Sequence, residues 1–308
     1  MQGDKDSRRI QILCAADAAY GPWAGVMMSG LLAHDHGAPL DFHLFSDGVR
    51  RADVRRMERM VQEHGATLNV YDVRPVLKSE TEGLHISLAI SRTVYARLFL
   101  DHVIGSATDR VIYLDCDILC VGSIAPIWDF DLKGEAIAAV RDIGSLTPEH
   151  LATTTCRLGL PEGQPYYNSG VMVIDVAKWR DADVGRRALA YAKRMGDRLA
   201  WWDQDAINGV MGARIQEMPA EWNCQVSPLT TPSGQEVLVH FFGRIKPWDL
   251  EHSGAFAKDY QRVLRASPWR FNIRVPNAVR RLRYSYRKRL AALKRLRARW
   301  SEPARAKS

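Results

Sequence analysis

The sequence predicts an α/β protein built on a mostly parallel, twisted sheet with helices on both faces. Through the first third of the chain, short apolar runs alternate with longer segments of helical periodicity, a pattern typical of strands joined by crossover helices. Apolar residues make up 46% of the 308 residues and charged residues 25%, which excludes a disordered, collagenous or coiled-coil chain. This length allows two ordinary domains or one large α/β domain.

The first half of the chain supplies most of the regular elements. Residues 10–15 form an apolar run that ends at Asp17, and Pro22 suits the first turn of the helix that follows. Residues 40–45 alternate as in a strand, a second helix ends near Gly65, and residues 68–73 form a third strand. The pattern then predicts a helix over 91–100 and a buried strand over 111–114.

The second half is less regular. Residues 137–140 and 171–174 read as strands, 176–195 as a helix, 206–211 as a helical run and 237–241 as a late strand. There is no internal repeat and no low-complexity linker before residue 270. We therefore expect one catalytic domain over residues 1–269 and a separate basic tail over 270–308.

The tail differs sharply in charge from the rest of the chain. It holds 14 Lys and Arg residues and one acid, whereas residues 1–269 hold 29 bases and 34 acids. Its apolar positions follow helical spacing, and they are Val279, Leu282, Tyr286, Leu290, Leu293, Leu296 and Trp300. Such a basic amphipathic helix is typical of binding to an anionic membrane surface.

Two other interpretations of the tail remain open: an RNA- or DNA-binding arm, and a helix packed on the body. The acidic body would repel nucleic acid, and packing would leave the charge unused. We expect no nucleic-acid partner. The charged N-terminus has no apolar segment behind it, so no signal peptide is predicted. The expected location is cytoplasmic, peripheral on the cytoplasmic face of the membrane.

The five cysteines indicate reduced core thiols. They lie at positions 14, 116, 120, 156 and 224, the number is odd, and no CxxC pair occurs. A zinc site built on Cys116 and Cys120 would need two further ligands at suitable spacing, and none is evident.

Candidate chemistry follows the predicted strands, because ligands of open parallel sheets bind beyond the carboxyl ends of the strands. Asp17 follows the first strand, Asp115 and Asp117 follow 111–114, and His240 closes the late strand. In an extended segment the two carboxylates point the same way and Cys116 points away. Aspartate oxygens with one imidazole suit Mn²⁺ or Mg²⁺ better than zinc or copper.

Each of these signals also has a purely structural interpretation. Asp115 can cap a turn while Asp117 is solvated, and His240 can be a packed core histidine. The acids of Asp203-Gln204-Asp205 can mark a helix N-terminus, or they can bind sugar hydroxyls beside Trp201 and Trp202. Asn168-Ser169-Gly170, just before a predicted strand, carries the same ambiguity. The chain contains no GxGxxG after a strand and no P-loop motif.

Together these segments resemble glycosyltransferase family 8, the retaining transferases that include bacterial lipopolysaccharide galactosyl- and glucosyltransferases and glycogenin. The resemblance covers residues 10–250 in family order. The matching stretches are Ala15-Ala16-Asp17 with Tyr20, His85-Ile86-Ser87, Tyr95 with Arg97-Leu98, Arg110 to Trp128 with Asp115 and Asp117, Tyr167-Asn168-Ser169-Gly170-Val171, Asp203-Gln204-Asp205, and His240 with Gly243, Lys246, Pro247 and Trp248.

The resemblance implies a glycosyltransferase-A fold and a metal-dependent hexosyltransferase that moves galactose or glucose from a UDP-sugar to a saccharide acceptor. That acceptor is a lipid-linked glycan such as lipopolysaccharide core. Asp115, Asp117 and His240 would bind Mn²⁺ or Mg²⁺, and the implied catalytic residues are Gln204, Asp203 and Asp142. The implied donor-binding residues are Ala15, Ala16, Asp17, Tyr20, His85, Arg97, Asp115, Cys116, Asp117, Asn168, Ser169, Gly243 and Lys246.

One departure from the family pattern concerns the nucleoside. Family members often carry Asn two or three residues beyond the first Asp, where this chain has Ala18 and Ala19, so one nucleoside contact is missing or replaced. Gln204 is a neutral amide and a poor nucleophile, so we favour entry of the acceptor on the leaving-group face.

Two alternative functions fit the sequence less well. A haloacid-dehalogenase-type phosphatase also places aspartates after a strand, but its DxDx[TV] signature has Leu119 at the fifth position here. A degenerate, membrane-bound transferase acting as a scaffold would not need the metal and diphosphate residues that this chain retains.

Overall fold

The computed structural model describes residues 8–84, 91–104, 108–227, 230–243, 245–249 and 254–272. It contains a seven-stranded sheet in the order β3-β2-β1-β4-β7-β6-β8 and a three-stranded sheet in the order β5-β10-β9. The predicted α/β class is confirmed. The predicted tail helix begins beyond residue 272 and lies outside the described residues, as does His85.

The strands are β1 Ile10–Asp17, β2 Leu40–Asp47, β3 Thr67–Asp72, β4 Arg110–Leu114, β5 Ile118–Cys120, β6 Ile137–Arg141, β7 Tyr167–Asp175, β8 Ile215–Glu217, β9 Cys224–Gln225 and β10 Leu238–His240. The α-helices are α1 Gly21–Leu32, α2 Arg51–Glu63, α3 Arg74–Glu80, α4 Leu100–Val103, α5 Ala125–Trp128, α6 Pro148–Leu158, α7 Val176–Asp181, α8 Val184–Met195, α9 Trp202–Met211 and α10 Ala257–Ala266.

Alternation along each strand builds a core on both faces of the large sheet. Neighbouring residues of β1 face opposite ways, so Ile12 packs with α1 and α2 while Leu13 packs with α8 and α9. Both side chains are fully buried. Helices on both faces, as predicted, leave the strand ends as the accessible edge of the sheet.

Strand β7 is antiparallel to its neighbours β4 and β6, whereas the other strands of this sheet run parallel to one another. Its register pairs Leu114 with Val171, and the Asp115 amide donates to the Gly170 carbonyl. The start of β7 therefore lies beside the carboxyl end of β4. Asn168, Ser169 and Gly170 lie inside β7, not before it as predicted, because the strand begins at Tyr167.

The late strand β10 belongs to the small sheet. It runs antiparallel to β5 with His240 opposite Ile118, and the Phe241 amide donates to the Asp117 carbonyl. This pairing brings His240 next to the segment that follows β4, although the two are more than 120 residues apart in the chain.

Three predicted helices differ from the observed ones. The segment predicted as a helix over 91–100 is a 3-10 helix, Arg92–Phe99, followed by α4. The predicted helix 176–195 is interrupted between α7 and α8, where Asp183 adopts φ +51°. Helix α9 begins at Trp202, four residues before the predicted run, so Asp203, Gln204 and Asp205 occupy its first turn.

The end of the described chain is anchored on the body. The Trp269 indole is buried against Gly25 of α1 and donates to the Asp53 carboxylate at 2.9 Å. Two residues later, Phe271 is 81% exposed. Within the described ranges, none of the helices has the combination of length and apolar character that crossing a bilayer requires.

Candidate active site

A cavity of about 480 Å³ opens where the carboxyl ends of β1 and β4 meet the start of β7 and the first turn of α9. It gathers most of the site residues predicted from the sequence. Those lining it are Ala15, Ala16, Asp17, Tyr20, Arg97, Asp115, Cys116, Asp117, Asp142, Asn168, Ser169, Asp203, Gln204, His240 and Lys246. Gly243 does not line it, and a side chain there would point into open space.

Asp115, Asp117 and His240 form a candidate metal centre. One ligand atom from each lies within 4.8 Å of the others. His240 Nε2 is 3.5 Å from Asp117 Oδ1 and 3.9 Å from Asp115 Oδ2. Two carboxylates and one imidazole suit Mn²⁺ or Mg²⁺, so these residues fit a divalent cation. The carboxylates converge through a turn after β4, not through the predicted extended segment.

Lys246 forms an ion pair with one carboxylate of the candidate metal centre. Its ammonium donates to Asp117 Oδ2 at 2.5 Å and to the Phe241 carbonyl at 2.9 Å. Burial opposes ionisation of Asp117, but the Lys246 ammonium outweighs it and holds the pKa of Asp117 below its usual range. The centre is therefore ready to bind a cation, and Lys246 stands within reach of any anion on that cation.

Arg97 is a buried cation that joins both sides of the cavity. Its Nη2 donates to Asp115 Oδ1 at 2.7 Å, and its Nε lies 3.1 Å from Asp203 Oδ2. The guanidinium also lies over the Tyr113 ring at 4.1 Å. Burial alone would lower the pKa of Arg97, but the two carboxylates hold it above its ordinary value. Arg97 thereby orients a candidate metal ligand and a predicted catalytic residue together.

Asp203 has an unusual protonation equilibrium. Burial raises its pKa to about 6, assisted by repulsion from Asp115 and opposed by Arg97 and a hydrogen bond from Ser169. The Ser169 hydroxyl donates to Asp203 Oδ2 at 3.2 Å. A carboxylate held this way presents negative charge to the middle of the cavity near neutral pH.

Gln204 and Asp142 contact each other in the wall of the cavity. Gln204 Nε2 donates to Asp142 Oδ2 at 3.1 Å and to the Tyr166 hydroxyl at 3.2 Å. Gln204 Oε1 accepts from Asn168 Nδ2 and from the Ser169 amide, both at 3.1 Å. The three predicted catalytic residues therefore share one network with Asn168 and Ser169.

Another part of the cavity wall is built by the end of β1 and the residue before α1. Asp17 Oδ1 accepts from the amides of Ala19 and Tyr20. The Tyr20 ring is partly exposed and meets Trp248 edge to face. Cys116 lies beside β1: its thiol donates to the Ala15 carbonyl, and burial raises its pKa well above the usual range. Among the described residues, the cluster that could hold a metal ion consists of Asp115, Asp117 and His240, without this sulfur.

The sequence interpretation missed several residues of the site. Tyr113 lies two residues before Asp115 on a strand, so alternation was a usable signal; its hydroxyl donates to Asp115 Oδ1 at 3.1 Å. Tyr166 lies two residues before Asn168, and its hydroxyl contacts both Gln204 and Asp205. Asn223 contacts both Asn168 and His240, and nothing in its local pattern indicates this.

Asp205 supports the site without lining it. It is fully buried, and its carboxylate accepts from Arg157, the Tyr166 hydroxyl and the amides of Ala200 and Trp201. These bonds hold the turn that leads into α9. Trp202, the first residue of α9, adopts φ +31°. The Trp201 ring, 54% exposed, consequently stands at the cavity wall.

Comparisons with known proteins agree with this arrangement. The sequence profile of glycosyl transferase family 8 matches residues 11–251. The lipopolysaccharide 1,2-glucosyltransferase of Escherichia coli K12 is 26% identical over 278 residues, covering 86% of this chain and 80% of that protein. The lipopolysaccharide 1,3-galactosyltransferase of Salmonella typhimurium LT2 matches with the same identity and coverage.

The fold agrees as well. A crystal structure of the galactosyltransferase LgtC, in complex with donor and acceptor sugar analogues, superposes with a TM-score of 0.74 at 24% identity, covering 88% of this chain and 99% of that one. The profile match spans the strands, the cavity and all three candidate metal ligands. With its fold and its motifs in the family order, the chain belongs to glycosyl transferase family 8.

Proposed function

We propose that this protein is a retaining hexosyltransferase that moves galactose or glucose from a UDP-sugar to a glycan acceptor with the help of Mn²⁺ or Mg²⁺. The observation that carries the proposal is the cluster of Asp115, Asp117 and His240 beside Lys246, at the sheet edge where β1 also ends. A cation-binding centre beside a lysine ammonium offers two positive charges to a diphosphate leaving group.

The donor would lie along the cavity from β1 to α9. Asp17, Tyr20 and the backbone of Ala15 and Ala16 would hold the nucleoside. A bound cation would supply positive charge that stabilises the departing diphosphate. Lys246 would exchange its contact with Asp117 for a diphosphate oxygen, adding a second positive charge on the leaving group.

The sugar would lie between Arg97 and the α9 turn. Ionised Asp203 faces the middle of the cavity, where it can stabilise the positive charge that develops on the sugar ring. Gln204 and Asp142 would bind sugar hydroxyls, because their polar atoms converge there. Asp205 is too deeply buried and too fully hydrogen-bonded to reach the anomeric carbon. We therefore favour entry of the acceptor on the leaving-group face, with the departing phosphate taking its proton.

The acceptor is proposed from the relatives and from the cavity wall. Both bacterial relatives described above are named as lipopolysaccharide transferases, and we propose a lipid-linked saccharide such as lipopolysaccharide core for this chain. The exposed Trp201 ring offers an apolar face on which a sugar can stack. A cytoplasmic protein held on the membrane by its basic tail would meet such an acceptor at the bilayer surface.

A screen of nucleotide-sugars tests this proposal. With the full chain, Mn²⁺-dependent transfer or slow donor hydrolysis should appear for UDP-galactose or UDP-glucose, and a strong chelator should abolish it. Asp117→Ala should lose the activity and the Mn²⁺-dependent binding of UDP while remaining folded, because a ligand is lost and not core packing. Asp181→Ala, at an exposed position in α7, serves as the matched control.

The same screen separates the alternatives. Full activity in chelator would contradict the metal proposal. Absence of any UDP binding would indicate a degenerate scaffold, and release of free phosphate from a sugar phosphate without an acceptor would indicate a phosphatase.

A further inference from the structure

We propose that Asn223 is a positioning residue that holds His240 as the tautomer with its lone pair on Nε2, through a hydrogen-bond chain that begins at the Gly170 amide and the Asp142 carboxylate. Asn223 ends the 3-10 helix Ala220–Asn223 directly before β9, and it is 1% exposed. The effect of this tautomer on metal binding rests on the proposed function. The tautomer itself can be measured without metal.

The hydrogen-bond chain has a fixed direction because each of its first two groups can act only as a donor or only as an acceptor. The Gly170 amide can only donate, and it reaches Asn168 Oδ1 at 3.0 Å. The Asp142 carboxylate accepts from Asn168 Nδ2 at 3.2 Å. Asn168 Oδ1 therefore faces a donor and Asn168 Nδ2 faces an acceptor. With the amide flipped, two donors would meet at Gly170 and two acceptors at Asp142. Asn168 is buried, so water cannot replace them.

The direction passes from Asn168 to Asn223 and then to the imidazole. Asn168 Oδ1 already points at Asn223, so the group that meets it at 2.9 Å must be the donor Nδ2. Asn223 Oδ1 is then the atom 3.0 Å from His240 Nδ1. A carbonyl oxygen only accepts, so Nδ1 carries the ring hydrogen and the lone pair of the neutral ring is on Nε2.

Nε2 is the nitrogen that faces the two carboxylates of the candidate metal centre. The hydrogen-bond chain thus holds the imidazole with its lone pair on Nε2, so a cation could bind there without a change of tautomer. Its other end contacts Gln204 and Asp142, so one set of buried amides aligns the metal ligand with the residues assigned to the sugar. Outer hydrogen bonds of this kind are worth about 10–100-fold in metal affinity.

Nitrogen-15 NMR of the full chain, labelled at histidine and kept in chelator, tests the tautomer directly. A His240→Gln variant assigns the His240 signals. We expect a protonated nitrogen at Nδ1 and a lone-pair nitrogen at Nε2. His36 is an internal reference of the opposite kind, because its Nε2 must donate to the Leu31 carbonyl and its Nδ1 accepts from the Ile124 amide.

Asn223→Leu should release His240 to populate the Nε2-protonated form while His36 stays unchanged, which reports an intact fold. Its Mn²⁺ affinity, measured by calorimetry with the metal alone, should fall about 10–100-fold. Asn223→Asp keeps an acceptor for Nδ1 and should keep the wild-type tautomer, even if it is less stable.

A wild-type His240 protonated on Nε2, or a tautomer unchanged by Asn223→Leu, would overturn the proposal. The expected tautomer in a protein that binds no Mn²⁺ would support the positioning role of Asn223 and contradict the metal part of the proposed function. The two proposals can therefore fail separately.

Discussion

Gly170 makes the candidate metal centre possible because it has no side chain. A Cβ there would lie 2.3 Å from His240 Cε1 and 2.9 Å from Asp115 Oδ2, closer than such atoms approach in proteins. We expect Gly170→Ala to displace one of these ligands and to weaken Mn²⁺ binding at least tenfold.

Calorimetry with Mn²⁺ measures this effect, and thermal unfolding shows whether the variant remains folded. Gly30→Ala is the matched control, since its added methyl meets atoms only at 3.6 Å and beyond. Equal Mn²⁺ affinity in the Gly170 variant and the wild type would show that the cation does not bind between His240 and Asp115.

Asp203 should make the stability of the protein depend on pH. Its pKa is raised to about 6 in the folded chain and lies near 3.9 in the unfolded chain, so the folded state binds the proton more tightly. The contribution of Asp203 protonation to the free energy of unfolding is fully present below about pH 4 and is lost as pH rises through about 6. Two pKa units correspond to about 3 kcal/mol.

Denaturant unfolding of metal-free wild type and Asp203→Asn across this range measures the effect. The stability of the wild type relative to the variant should decrease by up to about 3 kcal/mol from pH 4 to pH 7. A constant difference across this range would mean that the pKa of Asp203 is not raised by burial.

At the scale of elements, the position of Arg97 depends on how α8 packs against the 3-10 helix Arg92–Phe99. Gly185 of α8 lies against the Leu98 carbonyl, and a Cβ there would be 2.0 Å from that oxygen. Because backbone cannot rotate away, Gly185→Ala should push the two helices apart. We expect a loss of about 1–3 kcal/mol in unfolding free energy and weaker donor binding, since Arg97 moves with its helix.

Chemical denaturation and UDP titration in Mn²⁺ measure these two effects. Arg186→Ala, the exposed neighbour on the same helix, should change neither. A Gly185→Ala protein with unchanged stability would mean that this close contact relaxes without cost.

At the scale of the whole molecule, the basic tail predicts reversible attachment to an anionic bilayer. The buried Trp269 and the exposed Phe271 indicate where to truncate: removing residues 273–308 keeps every described contact, including the bond from Trp269 to Asp53. The full chain should sediment with anionic vesicles and less so in moderate salt, because each base near the surface contributes about 1 kcal/mol.

The truncated protein should stay in solution and should retain transfer to a soluble acceptor. Vesicles of neutral lipid are the matched control for charge. Sedimentation of the truncated protein, or equal binding of the full chain to neutral and anionic vesicles, would contradict a membrane role for the tail.

Much of the fold can be predicted from the sequence alone, because the patterns that indicate helices and strands are local. Apolar alternation and helical spacing indicated strands β1 to β4 and helices α1 and α2, since each pattern reflects which face of an element is buried. Asp17, Asp115 and Asp117 were found because parallel strands deliver the residues that follow them to a common edge. His240 was singled out at the end of the late strand, and the order of the family motifs added Arg97.

Other features depend on contacts between distant parts of the chain, which no local pattern records. The reversed direction of β7 places Asn168 beside Asp115, and the pairing of β10 with β5 brings in His240. Asn223 has an unremarkable sequence context, yet its amide contacts both Asn168 and His240. Residue types and spacing indicated which chemistry the chain contains. Which atom of each side chain faces the next depended on packing, because hydrogen-bond direction and close approach exist only once the elements have come together.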